Sequence, residues 1–240
     1  MLGGHPRALS TLFFTEMWER FTFYGMRALL VLFLVDAVDS GGYGFDDKTA
    51  TAIYGLYTAA VFMAALPGGW IADRLIGAQR AVMIGGTLMT LGTLMLTIPG
   101  PKQLFFGGLV VIILGVGLLK PNVSTLVADL YPEGGGRRDA GFTIFYMGIN
   151  LGAFIGPLIA GWLAQRYGWR IGFLAAAIGL PFGLLQFWRS RRLFNGAGAQ
   201  PNRNDGGAGL ATDWRRLWIA LAVFAAVAAL LFSGTVHLDP

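Results

Sequence analysis

Five ionisable side chains interrupt stretches of this sequence that are otherwise apolar. Four of them, Glu16, Glu19, Arg20 and Arg27, fall in the first such stretch, and Lys120 lies far along the chain. A charge at the centre of a bilayer costs roughly 2.5 kcal/mol or more, and intramembrane charges usually pair and mark a pathway for substrate or protons. The five residues therefore predict a buried charge network that handles ions or protons.

The spacing in the first stretch places the polar residues on one side of a helix. At 100° per residue, six of them share an arc of about 140°: Glu16, Glu19, Arg20, Phe23, Tyr24 and Arg27. This stripe should face protein or water and not lipid. A rise of about 1.5 Å per residue puts Lys120 at nearly the depth of Glu19. We therefore predict that Lys120 can pair with Glu16 or Glu19.

Two interpretations of this network remain. A static set of ion pairs would fix only how the helices pack, since buried pairs can be retained for specificity without adding stability. Proton coupling is the alternative, because burial disfavours a charged carboxylate while a nearby cation favours it. A cation that moves to a carboxylate on a substrate would then cause proton uptake. Three cations for two carboxylates exceed what helix packing needs, and this favours coupling.

The composition is that of a membrane protein. The chain has 240 residues, of which 55% are hydrophobic and 13% are charged, and its mean hydropathy is +0.60. Soluble domains carry roughly 25% charged residues. The net charge of +5 does not indicate a nucleic-acid partner, because the basic residues are spread along loops rather than gathered on one face.

Residues for enzyme, cofactor or metal chemistry are scarce. The chain has no cysteine, and its two histidines, His5 and His237, lie near its ends. A membrane-embedded enzyme or redox subunit needs a nucleophile with its base, or ligands for a metal or haem. We therefore expect no enzymatic activity, no cofactor and no metal site.

Seven apolar stretches approach the length of about 20 residues that a spanning helix needs. They lie at about 12–36, 50–73, 80–99, 103–130, 140–165, 169–190 and 216–234. We expect an all-α membrane protein with a six-transmembrane-helix bundle in residues 1–194. A polar cytoplasmic linker should follow in residues 195–213, and one additional hydrophobic helix in residues 214–240.

The distribution of basic residues predicts the orientation in the membrane. With the N-terminus inside, the outer segments hold Lys48, Lys102, Arg166 and Arg170. The inner segments hold eleven arginines: Arg7, Arg74, Arg80, Arg137, Arg138, Arg189, Arg191, Arg192, Arg203, Arg215 and Arg216. Because basic residues collect in cytoplasmic loops, we place the N-terminus in the cytoplasm.

A weak internal repeat accompanies this pattern. Residues 68–75 and 156–163 share Gly, Ile, Ala and Leu at one offset. Three-plus-three repeats within a six-helix half are a feature of transporters, although a match this short also arises by chance. Glycines at 115, 117, 148, 152 and 156 should permit close helix packing.

Four motifs, in order along the chain, resemble the proton-coupled oligopeptide transporters (POT) of the major facilitator superfamily. Residues 16–25, EMWERFTFYG, are similar to the signature E-x-x-E-R-F-x-Y-Y-G. Residues 69–80 resemble the superfamily's loop between its second and third helices. Residues 117–122 and 145–150 are also similar to this family. The most specific part is the E-x-x-E-R pattern combined with Lys120.

The resemblance implies a symporter in a bacterial plasma membrane that imports di- and tripeptides with protons. It implies proton coupling by Glu16, Glu19, Arg20 and Lys120. It implies a peptide site lined by Phe23, Tyr24, Arg27, Lys120 and Asn150. Asp73, Arg74 and Arg80 bracket a short inner loop, and either form a gating salt bridge or are ordinary positive-inside residues.

The sequence also departs from the family pattern. Phe23 stands where the signature has its first tyrosine, and the second helix lacks the histidine that some members use. The superfamily fold has two six-helix halves with substrate between them, so we expect this chain to be the N-terminal half, with its C-terminal half as partner. The alternatives are a transporter of nitrate or another small anion, and a fragment or scaffold that does not transport.

Overall fold

Six long helices make up most of the computed structural model, which describes residues 4–201 and 209–219. They are α1 (Arg7–Val35), α2 (Asp47–Ile71), α3 (Ala78–Met95), α4 (Lys102–Asp129), α5 (Gly135–Tyr167) and α6 (Trp169–Ser190). Each of the first six predicted stretches corresponds to one helix, and the described residues contain no strand. Residues 210–219 are also helical, but most of the seventh stretch and part of the predicted linker lie outside the described residues.

Short, specific connections set where the helices begin. Asp46 caps α2, because its Oδ1 accepts a hydrogen bond from the backbone N–H of Thr49 at 2.9 Å. The Thr49 hydroxyl donates to the same carboxylate at 2.7 Å, and these bonds hold the pKa of Asp46 below its usual value. Between α5 and α6 only Gly168 intervenes, with a φ of 95° that favours glycine. The α5–α6 turn can therefore be a single residue.

The helices pack in two symmetric groups. α1 lies along α5 and α6, while α4 lies along α2 and α3. α3 and α6 contact each other and join the two groups, whereas α1 meets α2 and α4 only over short lengths. Apart from the α5–α6 contact, which has no counterpart of similar extent between α2 and α3, exchanging the first three helices with the last three, in order, maps one group onto the other. This is the arrangement that a three-plus-three repeat produces.

Glycines bring α5 against α1. Gly148, Gly152 and Gly156 recur every four residues and so share one face of α5. A Cβ added to them would lie 2.8, 2.1 and 2.4 Å from the carbonyl oxygens of Phe13, Met17 and Phe21, respectively. Because real Cβ atoms do not come this close, the two backbones contact through the glycine face. The close packing predicted for these three glycines is confirmed.

The second group uses the same device around α4. A Cβ on Gly117 would lie 2.6 Å from the carbonyl oxygen of Ala64 on α2. A Cβ on Gly115 would lie 2.5 Å from the backbone nitrogen of Met89 on α3. Gly68 belongs to the first copy of the sequence repeat and meets the Gly117 carbonyl, as Gly156 of the second copy meets α1. The repeated sequence therefore occupies comparable positions in the two groups.

The outer surface is that of a membrane protein. Helices containing residues 47–76, 102–129, 135–167 and 169–189 are long and apolar enough to cross a bilayer. α1, with its charged side chains, and the 18-residue α3 are not among them. Two of the four apolar helices, α2 and α5, also expose large apolar side chains, including Leu66 on α2 and Phe154 on α5. Such exposure is unfavourable in water and suits contact with lipid or another helical unit.

Replacing Gly152 by Ala should destabilise the bundle. The new methyl group would overlap the Met17 carbonyl, and such overpacking costs about 1–3 kcal/mol. Gly161→Ala is the matched control on the same helix, since a Cβ there has no atom within 4 Å. We expect thermal unfolding of the purified protein in detergent at a lower temperature for Gly152→Ala only. Equal effects of the two substitutions would contradict the packing described here.

Candidate functional site

A buried trio of charges lies in the middle of α1. Glu16, Glu19 and Arg20 expose 2%, 0% and 4% of their surfaces, so all three are shielded from water. Their spacing of three and four residues brings the side chains together on one face of the helix. The Arg20 Nε–H donates a hydrogen bond to Glu16 Oε1 at 2.8 Å. The same nitrogen is 2.7 Å from Glu19 Oε2, so one guanidinium serves two carboxylates.

The two carboxylates are not equivalent. Arg20 Nε carries one hydrogen, and that hydrogen points to Glu16. Glu19 is therefore held by charge alone, and neither of its oxygens accepts a hydrogen bond within the described residues. Fully buried carboxylates normally accept several hydrogen bonds. Glu19 is thus the member of the trio for which the charged form is least supported.

Phe23 lies between Arg20 and Arg27 of α1. Its ring centroid is 5.9 Å from the Arg20 guanidinium carbon and 6.0 Å from that of Arg27. Arg27 also donates from Nε to the Tyr54 hydroxyl of α2, and its guanidinium carbon lies 4.9 Å from the Tyr54 ring centroid. Arg27 is thus held by aromatic faces and one hydroxyl rather than by a carboxylate.

Tyr57 on α2 supplies a second unsatisfied polar group beside the trio. Its ring stacks on Phe23 with centroids 6.4 Å apart, and only 3% of the residue is exposed. The hydroxyl has no hydrogen-bond partner within the described residues. Phe23 therefore connects the Tyr57 ring to Arg20, which contacts Glu19. Two buried groups that lack hydrogen-bond partners among the described residues, the Glu19 carboxylate and the Tyr57 hydroxyl, lie in the same part of the bundle.

Lys120 on α4 does not pair directly with the trio. Its Nζ lies 4.8 Å from the ring centroid of Phe62 on α2, and in the described chain it has no ion pair within 4 Å. Glu16 and Glu19 lie near enough for a Coulombic interaction with Lys120. The predicted pairing of Lys120 with a glutamate is thus not formed in this structure, although the charges share one region.

The two remaining residues of the predicted peptide site, Tyr24 and Asn150, differ in their surroundings. Tyr24 is partly buried and its ring meets that of Phe23, with centroids 5.4 Å apart. Asn150 is exposed on α5, and its side-chain amide donates to the Tyr146 carbonyl of the same helix at 3.0 Å. The structure therefore brings Tyr24 to the aromatic cluster, whereas Asn150 has no partner on another of the described helices.

The predicted gating residues lie at the end of the bundle where α1 begins. Asp73 and Arg74 occupy a π-helical turn, Ala72–Ile76, and Arg80 lies in the first turn of α3. All three are exposed. Asp73 lines a cleft with Asp129 rather than with Arg80, and Asp73 and Arg80 form no ion pair.

Sequence reasoning missed three aromatic residues on α2, namely Tyr54, Tyr57 and Phe62. They carry no charge, and aromatic residues in an apolar helix usually pack in the core. Their role depends on which helix lies opposite α1 and α4, and no local pattern shows that. A signal was present nonetheless, because the two tyrosines place hydroxyl groups in a membrane-length helix, where a hydrogen-bond partner is required.

The chemistry open to this site is the exchange of protons and charged partners. No group of three or more His, Cys, Asp or Glu in the described chain is placed to hold a metal. Glu16 and Glu19 share Arg20, whereas Arg27 and Lys120 have aromatic partners. When all five groups are ionised, one positive charge is left uncompensated. The site therefore suits an anionic group together with a mobile proton.

Comparisons with known proteins place these features in one family. The model of the POT family matches residues 79–226. The uncharacterized transporter YclF of Bacillus subtilis is 47% identical over 226 residues, covering 93% of this chain and 46% of that protein. The di-/tripeptide transporter of Lactococcus lactis subsp. lactis is 46% identical over 202 residues, covering 83% and 41%.

A solved structure is similar over nearly the whole chain. The crystal structure of a peptide transporter POT in complex with sulfate has a TM-score of 0.90 and 44% identity. The match covers 99% of this chain and 48% of that one. The chain thus spans about half the length of the proteins it matches. The resemblance deduced from the motifs is confirmed, and these relatives are transporters and not enzymes.

Replacing Arg20 by Gln should strongly destabilise the protein. It would leave two buried carboxylates without a cation, and removing one partner of a buried pair costs about 3–5 kcal/mol. Arg137→Gln is the control, because the Arg137–Glu133 pair is exposed at 3.5 Å and such pairs contribute about 0–1 kcal/mol. Chemical denaturation of the two variants in detergent would compare them. Similar losses would mean that Arg20 does not compensate the two buried carboxylates.

Proposed function

Because this chain belongs to the POT family, we propose that it forms the N-terminal half of a proton-coupled symporter that imports di- and tripeptides by alternating access. The observation that carries the proposal is the buried Glu16–Arg20–Glu19 trio, which lies close to Arg27 and Lys120, two cations that pair with no carboxylate among the described residues. Peptide transport by the family is reflected in the name of the Lactococcus relative. Proton coupling is our inference from the charges.

The membrane arrangement is part of this proposal. All six helices cross a bacterial plasma membrane, with the N-terminus in the cytoplasm and a major facilitator three-plus-three topology. α1 crosses despite its charges, because its neighbours α5 and α6 cover it and the trio is buried among protein atoms. The peptide is held between this bundle and a C-terminal six-helix half. The division into residues 1–194, 195–213 and 214–240 belongs to the same proposal.

The proton is carried by Glu19 in this mechanism. With both carboxylates charged, Arg20 must divide its charge between Glu16 and Glu19. A proton on Glu19 removes the carboxylate that has no hydrogen bonds and leaves Glu16 and Arg20 as a neutral pair. Burial opposes an extra negative charge, whereas the nearby Lys120 supports it. The proton occupancy of Glu19 therefore depends on whether the charge of Lys120 is compensated by another anion.

The peptide carboxylate offers Lys120 and Arg27 a new binding partner. Each rests against an aromatic ring, an interaction worth about 0.5–2 kcal/mol, and an ionised partner makes a stronger, charge-assisted bond. A peptide carboxylate would draw both cations to itself and compensate their charge. Glu19 would then lose electrostatic support for its charged form and take up a proton. Peptide and proton thus bind together, with Phe23, Tyr24 and Asn150 lining the peptide site.

A small-anion transporter is the second candidate. Two cations without carboxylate partners would serve nitrate as well as a peptide carboxylate. Peptides differ because their carboxylate lies at one end of an extended, neutral backbone that aromatic residues and Asn150 contact. The names of the relatives favour peptides over nitrate. A fragment that does not transport by itself is compatible with the half-length match.

Replacing Glu19 by Gln should abolish accumulation driven by the proton gradient. Gln keeps the shape of the side chain but cannot exchange a proton. Labelled dialanine uptake by the complete gene product in proteoliposomes, with and without an inward proton gradient, measures this. The exposed Glu133→Gln variant is the control and should accumulate peptide normally. Gradient-driven accumulation by Glu19→Gln would exclude Glu19 as the proton carrier.

Replacing Lys120 by Gln should weaken binding of peptides with a free carboxylate. Loss of one charge-assisted bond should reduce affinity for dialanine on the order of tenfold or more. Dialanine amide lacks the carboxylate, so its weaker binding should change little. Calorimetry with both ligands would measure this, with Lys102→Gln at the far end of α4 as control. An equal loss for peptide and amide would contradict a role in carboxylate recognition.

A further inference from the structure

A basic groove opens where α6 ends, at the same end of the bundle as the start of α1. Trp188 and Arg189 belong to the last turn of α6, and Arg191 and Arg192 to the 3₁₀ turn that follows. With Gln79 of α3 they line a groove of about 570 Å³. Pockets of about 300–1,000 Å³ hold small ligands, so the groove has room for a polar headgroup.

Within the part of the chain that the structure describes, the arginines of this groove have no acidic partners. None of Arg189, Arg191 and Arg192 forms an ion pair with the rest of the described chain, although Arg137 and Arg216 elsewhere do. The positive-inside rule accounts for basic residues at this end. It does not account for three of them around one groove beside an exposed tryptophan. The groove is therefore complementary to an anionic group at the level of the membrane interface.

A second, apolar groove lies deeper along α3. It is lined by Met83, Ile84, Thr87 and Leu88 and has a volume of about 250 Å³. Met83 lies one helical turn, about 6 Å, beyond Gln79 on the same face of α3. On α6, Leu185 is 49% exposed one turn before Trp188. A ligand that fits both grooves has an anionic head and an apolar tail.

We propose that the groove between α3 and α6 binds an anionic phospholipid, with the arginines on its phosphodiester and an acyl chain along Met83 to Leu88. The proposal rests on the membrane placement given above but not on peptide transport or proton coupling. The apolar groove on α3 distinguishes a lipid from a free phosphate compound, because a free phosphate would contact the arginines alone. Trp188 would lie at the headgroup level, where tryptophan is enriched.

Lipid titration of the complete gene product in neutral detergent tests this site. Thermal unfolding would be followed against phosphatidylglycerol, against phosphatidylcholine with the same acyl chains, and against glycerol 3-phosphate. We expect saturable stabilisation by phosphatidylglycerol, with little effect of the other two. Each arginine near an anionic surface adds about fivefold to binding. An Arg191→Gln/Arg192→Gln variant should therefore need roughly 30-fold more phosphatidylglycerol for half-maximal stabilisation.

The matched control removes the same charge at the opposite end of the bundle. Arg166→Gln/Arg170→Gln should keep the wild-type titration, because both arginines are exposed and distant from the groove. If phosphatidylglycerol stabilises the two variants equally weakly, its effect depends only on the net charge of the protein, and the proposal is overturned. Equal stabilisation by phosphatidylcholine would also overturn it. Glycerol 3-phosphate binding as tightly as the lipid would identify a soluble phosphate ligand instead. None of these outcomes depends on whether the protein transports peptides.

Discussion

The burial of Glu16, Glu19 and Arg20 within a membrane-length helix is the constraint on which the rest of the structure depends. Three ionisable groups in hydrocarbon are unfavourable unless they pair with one another and protein covers them. Their i, i+3 and i+4 spacing provides the pairing. The cover must come from other helices, so the charges require α1 to be the most enclosed helix. The glycine face of α5 meets this need by bringing its backbone against Met17 and Phe21.

The same packing leaves the site unevenly satisfied. Arg20 directs its Nε–H to Glu16, while Glu19 and the Tyr57 hydroxyl have no hydrogen-bond partners within the described residues. Arg27 and Lys120 rest on aromatic rings of α2, which hold a cation without neutralising it. The aromatic contacts of Arg27 and Lys120 are weaker than the charge-assisted bonds that an ionised ligand would form with them. A site built in this way can exchange partners, whereas a closed network of ion pairs would only hold the helices together.

Local patterns predicted the parts of this structure that depend on one helix at a time. Apolar length identified the six helices, the angular positions of Glu16 to Arg27 placed them on one face, and the glycines of α4 and α5 anticipated close helix packing. Contacts between side chains on different helices were harder to predict from the sequence. Depth alone suggested a Lys120–glutamate pair, but lateral position decides such contacts, and Lys120 meets Phe62 instead. Residues 195–201 have a linker composition, yet Gln79 donates hydrogen bonds to the carbonyls of Ala197 and Gly198.

In the proposed mechanism, peptide binding at Arg27 and Lys120 loads a proton on Glu19. The most direct test is to add dialanine to the purified complete transporter in weakly buffered solution and record proton uptake with a pH-sensitive dye. We expect the wild type to take up protons on peptide binding. We also expect Glu19→Gln to bind peptide without taking up protons. Peptide binding with no proton uptake by the wild type, or unchanged uptake by Glu19→Gln, would contradict this mechanism.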